Sequence, residues 1–144
     1  MGGFELLEHT ADVGILARGA TLEEVFEQAT LGLAEVLGAL RPGRSSPGGA
    51  RGREAVPVAV TAGDPGALLV DWLNEVLWLH EVRGHAGVAA VRVERVAGDR
   101  AEGTVSFSST DPPAEGTFVK AVTYHRLRVG RDADGWLAEV YLDV

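Results

Sequence analysis

The spacing of apolar residues changes several times along the chain, and each change marks an element. From Thr21 to Leu40, Leu22, Val25, Phe26, Ala29, Leu33, Val36, Leu37 and Leu40 recur at helical spacing. Glu23, Glu24, Glu27 and Glu35 fall on the far, polar side of that stripe. Thr21 with Glu24 three residues on is a capping box, which fixes the start. A second helix is expected from Asp64, an N-cap followed by Pro65 at the first helical position, to about Val82, with Gly84 as its stop. It is apolar around most of its circumference, so it should lie deep. Its narrow polar side carries Asp71, Asn74, Glu75 and Glu81, with Trp78 in the middle. Trp78 there is either covered by a neighbouring loop or a contact residue for a partner, since interfaces favour Trp.

Period-two alternation predicts strands over Phe4–His9, Val13–Arg18, Glu54–Ala62, Val88–Val96, Gly103–Ser108, Thr117–Val129 and Trp136–Val144. Asp132 to Gly135 reads as the turn of a closing hairpin. The order of strands, helix, strand, helix, strands predicts an α+β single domain over residues 1–144. Its two helices are expected to pack on one face of a mainly antiparallel or mixed β-sheet.

The final strand carries candidate chemistry. Trp136, Ala138, Val140, Leu142 and Val144 share one face; Leu137, Glu139, Tyr141 and Asp143 share the other. A terminus tied into a sheet holds its main-chain carboxylate in place beside Asp143. With Asp12 from the first turn as a third oxyanion, this makes a seat for a hard cation, Ca²⁺ or Mg²⁺ and not zinc. The plainer alternatives are that Asp12 caps its own turn and Asp143 faces water.

Composition narrows the classes. At 144 residues with 46% apolar and 24% charged residues, the chain can build one ordinary core. No cysteine is present, so disulfides, thiolate metal sites and a Cys nucleophile are excluded. No apolar run approaches a membrane span and the N-terminus reads as no signal peptide, so the expected place is the cytoplasm, away from membranes. A net charge of −8 argues against broad binding to phosphate backbones. The one concentrated basic segment is Arg41–Arg53, rich in Gly, Pro and Ser, expected as a flexible loop that either is merely solvated or touches RNA or a partner.

Of 13 basic residues only Lys120 is a lysine. It lies in FVKAVTYHRLRV, where Lys120, Val122 and Tyr124 face one way and Ala121, Thr123 and His125 the other. Lys120 and His125 could serve acid–base or phosphate chemistry; an outward Lys on a half-solvated sheet is the alternative. His9, His80, His85 and His125 show no HExxH spacing, and His80 on the deep helix reads as a hydrogen-bonded core residue. There is no GxSxG and no P-loop.

The segments FELLEHTADVGILARG, TLEEVFEQATLGLAEVL, LLVDWLNEVLWLHE, KAVTYHRLRV and EVYLDV, in that order, resemble the archease family over nearly the whole chain. The departure is mainly the Arg41–Arg53 loop. The resemblance implies a non-enzymatic activator of an RtcB-type RNA ligase in tRNA splicing and RNA repair. Such activators promote guanylylation of the ligase's active-site histidine and its multiple turnover, and the ligase itself holds GTP and Mn²⁺. It implies a divalent cation, Ca²⁺ first with Mg²⁺ or Mn²⁺ as alternatives, on Asp12, Asp143 and Val144. Asp71 and Lys120, in matching motifs, are implied to shape the docking surface, and tRNA is met only through the ligase. Two rival readings remain: a small metal-dependent phosphohydrolase using Asp12, Asp143, Lys120 and His125, and a chaperone-like RNA-binding module acting through the Arg41–Arg53 loop.

Overall fold

The computed structural model describes residues 2–9, 12–41, 53–108 and 113–144. Among the described residues, seven strands and two helices follow in the order β1 (Gly3–His9), β2 (Asp12–Gly19), α1 (Leu22–Val36), β3 (Arg53–Thr61), α2 (Pro65–Val82), β4 (Gly87–Ala97), β5 (Arg100–Ser108), β6 (Ala121–Asp132) and β7 (Gly135–Asp143). The α+β class is as expected. The strands, expected in one sheet, divide into two: a four-stranded sheet in the order β1-β2-β7-β6 and a three-stranded sheet in the order β3-β5-β4. All strand pairs are antiparallel. Helix α1 packs on β1, β2 and β7 and also on β4; α2 packs on β6 and also on β3, β4 and β5. The helix pair is therefore a layer that joins the two sheets, and it is this double cover that the near-continuous apolar surface of α2 reflects.

The helix starts follow their caps. Thr21 Oγ1 accepts from the Glu24 N–H at 3.1 Å, and Glu24 Oε1 reaches back to the Ala20 N–H at 2.6 Å. Asp64 Oδ1 accepts from the Ala67 N–H at 2.9 Å, with Pro65 opening the helix. The ends share one device. Gly38 (φ +68°) donates to Glu35 O and Ala39 to Ala34 O, while Gly84 (φ +67°) donates to Glu81 O and His85 to His80 O. Each pair satisfies carbonyls that the helix end would orphan. Helix α1 thus stops at Val36, short of Leu40, because Gly38 takes the left-handed conformation that ends it.

One core unites the layers. Phe26 and Trp72 are fully buried and meet edge to face at 6.5 Å. The Trp72 indole N–H donates to Thr30 Oγ1 at 2.9 Å, and that hydroxyl donates to Phe26 O at 2.6 Å, so these buried polar side chains are paired. Each such aromatic contributes on the order of 2–3 kcal/mol by burial.

Two sheet edges carry departures from regular pairing. On β4 the register slips between Val88 and Ala90 and between Val93 and Arg95. The Val93 and Val96 N–H groups then donate to Glu27 Oε2 and Glu23 Oε2, each at 2.9 Å. The far side of α1 therefore faces the β4 edge at these two glutamates and not solvent alone. On β6 the register slips between Thr123 and Arg128, with Arg126 at φ +55°. Regular alternation through His125 fails there. The strand also begins at Ala121 and not Thr117, because Thr117 donates to Val36 O at 2.9 Å and Ala114 to His85 O at 2.9 Å, across the helix ends.

Candidate metal centre

Strand β7 lies between β2 and β6, so the end of the chain is held by neighbours on both sides. Ala138, Val140 and Leu142 are fully buried, and half-buried Val144 packs against the same core. The alternation expected of the last strand is present, and it turns Asp143 to the outer face with Tyr141 and Glu139.

Register then decides what Asp143 meets. In the β2–β7 ladder Asp12 is the direct partner of Asp143, two residues beyond the Gly14–Tyr141 pair. Directly opposed residues share a face with Cβ atoms roughly 4.5–5.5 Å apart. Ala121 opposes Asp143 on the other side, and Lys120 N–H donates to Asp143 O at 2.8 Å. Asp12 is half-buried and Asp143 exposed. Two carboxylates in direct opposition repel each other, and Val144 follows the second in the chain. Such an arrangement of oxygen donors, open to solvent on one side, suits a hard cation that keeps several waters. Among the described residues no group of three or more His, Cys, Asp or Glu side chains gathers that could hold a metal ion.

Behind the pair, Tyr141 is buried although it lies on the outer face. Its ring covers Gly14, where a Cβ would come within 2.7 Å of it, and His125 meets the ring edge-on at 6.3 Å. The Tyr141 hydroxyl donates to Glu139 Oε2 at 2.6 Å. That bond, more than burial, raises the phenol's pKa, and it is the first cause lowering the Glu139 carboxyl, with Arg128 adding to it. Tyr141 and Gly14 were not singled out in the sequence; a glycine in a strand pattern is the signal that marks such a close approach.

The expected residues form two groups. Asp12, Asp143, Val144, the Lys120 backbone and, through Tyr141, His125 gather at one end of the four-stranded sheet. Asp71 and Trp78 lie elsewhere, on the outward face of α2 beside β6. Asp71 Oδ1 accepts from the Tyr124 hydroxyl at 3.4 Å. Tyr124's phenol is raised by desolvation first and by the Asp71 charge next. Asn74 closes part of the β6 edge, its amide donating to Val122 O at 3.0 Å and accepting from Val122 N–H at 2.9 Å. Trp78 is 56% exposed, so no loop among the described residues covers it. Lys120 is exposed, as an outward Lys would be. His80 is buried with Nδ1 2.8 Å from Ala86 O, a hydrogen-bonded core residue as expected. Most of the basic Arg41–Arg53 segment, residues 42–52, lies outside the described residues. No helix among the described residues is long and apolar enough to cross a membrane.

Comparison with known proteins gives the family. A model of the Archease protein family (MTH1598/TM1083) matches residues 4–144. A protein archease of Methanosarcina acetivorans is 38% identical over 98% of this chain and 95% of its own length. One from Thermococcus gammatolerans is 37% identical over the full length of both. The solution structure of Methanobacterium thermoautotrophicum protein 1598 superposes with a TM-score of 0.70 at 29% identity, covering 99% of each chain. The crystal structure of an archease from Thermotoga maritima, described as a possible chaperone, gives 0.63 at 26% identity over 96% of this chain and 94% of that one.

Proposed function

This chain belongs to the archease family, and from that premise we propose that it is a metal-binding protein cofactor of an RtcB-type RNA ligase, which promotes guanylylation of the ligase and its repeated turnover and does no chemistry alone. The observation that carries the reading is the register that sets Asp12 opposite Asp143, with the terminal carboxylate next in the chain.

Asp12, Asp143 and the Val144 carboxylate would hold the cation, Ca²⁺ first among hard dications. When bound, such an ion supplies positive charge able to engage phosphate or pyrophosphate oxygens. The chain's own residues do the rest. Tyr141 and Gly14 pack the face behind the pair, and the β7 core contacts hold the terminus, so the oxyanions are presented on a rigid rim. A ligase that binds RNA needs a basic cleft, and a partner of net charge −8 is steered toward it. We place the acidic rim at the mouth of that cleft, in the cytoplasm, with RNA met only through the ligase.

The test is a guanylylation time course of the purified cognate ligase with GTP. Wild-type protein should accelerate it, and Asp12→Ala should abolish the acceleration while keeping the wild-type melting profile. Full stimulation by Asp12→Ala would defeat the reading. Release of phosphate from generic phosphodiesters without any ligase would favour the phosphohydrolase instead.

A further inference from the structure

The helix C-termini carry a second site, distinct from the acidic rim. The Leu37 end of α1 and the His80–Glu81 end of α2 converge on a cavity of about 100 Å³, closed over by the segment that contains Gly116, Phe118 and Val119. Each helix presents its negative end there. No basic side chain stands in the last turn of α1, and only His80 does in α2. Arg41 and Arg83 bond carbonyls near these ends but do not line the cavity.

His80 makes the cavity an acceptor. Its Nδ1 faces the Ala86 carbonyl, which can only accept, so Nδ1 carries the proton and Nε2 a lone pair. The ring makes no other hydrogen bond among the described residues, yet no buried side-chain nitrogen or oxygen lacks a partner, so Nε2 opens onto the cavity that the ring lines. Burial holds His80 below the usual histidine range, which keeps that lone pair at neutral pH. His85, stacked on it at 5.3 Å, is held at φ +61°, a conformation costly for a residue with a Cβ. The Glu81 carboxylate completes the rim.

The surroundings are apolar and exposed. Tyr124 bonds Asp71, Val122 bonds Asn74, and Phe118 lines the cavity with Leu77 and Glu81, so residues 118–124 run antiparallel along α2. Trp78 falls between these contacts. Four of the five exposed large hydrophobics among the described residues, Trp78, Val82, Phe118 and Tyr124, lie on this one face.

We infer that this cavity is the seat for a Lys or Arg side chain of the RNA-handling protein partner, with Phe118 packing against its stem and Trp78 and Tyr124 extending the contact face along α2. An aliphatic stem suits the Leu37, Leu77 and Phe118 walls, and the cationic head suits Nε2, Glu81 and two negative helix ends. The carboxylates beside the aromatic row, Asp71, Glu75 and Glu81, complement a basic surface and not an RNA backbone. This inference rests on the ligase-activator reading for the partner's identity, but the cavity's preference for cations does not.

Two measurements test it. In the first, n-butylguanidinium is titrated into the isolated protein and followed by NMR. Shifts are expected at His80, His85 and Phe118 beyond those caused by sodium chloride; equal shifts with n-butanol, or none, would overturn the cationic seat. In the second, the dissociation constant for the purified ligase is measured. Trp78→Ala, Phe118→Ala and Glu81→Lys should each weaken binding by about 30-fold, the loss typical of an anchor, with unchanged melting profiles, while Leu6→Ala on the opposite edge should not. Wild-type and variants binding within twofold of each other overturns the docking face alone; a wild type that neither binds nor stimulates the ligase overturns the activator reading with it. Self-association of the wild type that Trp78→Ala abolishes would assign the face to a second copy and also overturn the proposal.

Discussion

The two irregular edges of this molecule are finished in opposite ways. Along β4, bulges free the amides of Val93 and Val96, and Glu27 and Glu23 of α1 take both. The edge is closed, and pairing with another chain is blocked there. Along β6, a longer slip leaves Tyr124, His125 and Arg126 exposed, while Asn74 closes Val122 and Thr123 Oγ1 takes the His125 N–H. What remains is an exposed aromatic face beside the opposed carboxylates of Asp12 and Asp143. A glutamate on a sheet edge is here a backbone partner, whereas an aspartate opposite an aspartate has no such use. On the proposed function, the β6–β7–α2 side carries the activity and the β3–β5–β4 sheet supports it.

The largest expected effect strikes that supporting side. Gly103→Ala would put a Cβ within 2.2 Å of Arg92 O, backbone against backbone, and should cost about 3 kcal/mol in urea unfolding. Next comes Asn74→Ala, which strips both partners from Val122 at the functional edge. About 2 kcal/mol should be lost, and hydrogen exchange at Val122 should rise without change at Val93. Glu27→Ala is the mirror experiment, with about 1 kcal/mol lost and faster exchange at Val93 but not Val122. If both substitutions loosened both edges equally, the contrast between them would be false.

A pH term is smaller and separable. His80 is lowered by burial, so the unfolded chain binds its proton more readily than the folded one. This contribution is fully present above the unfolded histidine value near 6.5 and is lost as pH falls from there through the lower folded value. The melting temperature of wild type should therefore drop over that window more than that of His80→Gln. The smallest effect has the opposite sign to the others. Asp12→Asn relieves a like-charge pair and should stabilise the metal-free protein by roughly 0.2–1 kcal/mol. Destabilisation by this change would mean that Asp12 serves its own turn.

What could be read from the chain, and what could not, divides by distance. Local signals held: Thr21 and Asp64 start their helices, Asp132 to Gly135 turns the last hairpin, and the alternation from Trp136 to Val144 is the buried strand it looked like. That alternation turned Asp143 outward and tied down the terminus, so half of the candidate site was visible. Asp12 was expected near Asp143, but its place directly opposite was not visible, because register is a property of two strands and β2 is over a hundred residues away in the chain. The split into two sheets was hidden for the same reason. Gly38 lay inside an unbroken apolar period, and the stripe masked a stop that its left-handed conformation imposes. Glu23 and Glu27 looked like a solvated face because nothing local announces a bulged strand beyond them. The β6 slip likewise broke an alternation that the residues themselves continue.

The central claim is that Asp12, Asp143 and the terminal carboxylate together trap a dication. Calorimetric titration of the metal-free protein with Ca²⁺ tests it most directly. One site per chain is predicted, weakened at least about tenfold by Asp12→Asn and again by Asp143→Asn, since each removes a charged oxygen ligand. Binding that is absent in the wild type, or that survives both substitutions unchanged, would contradict it.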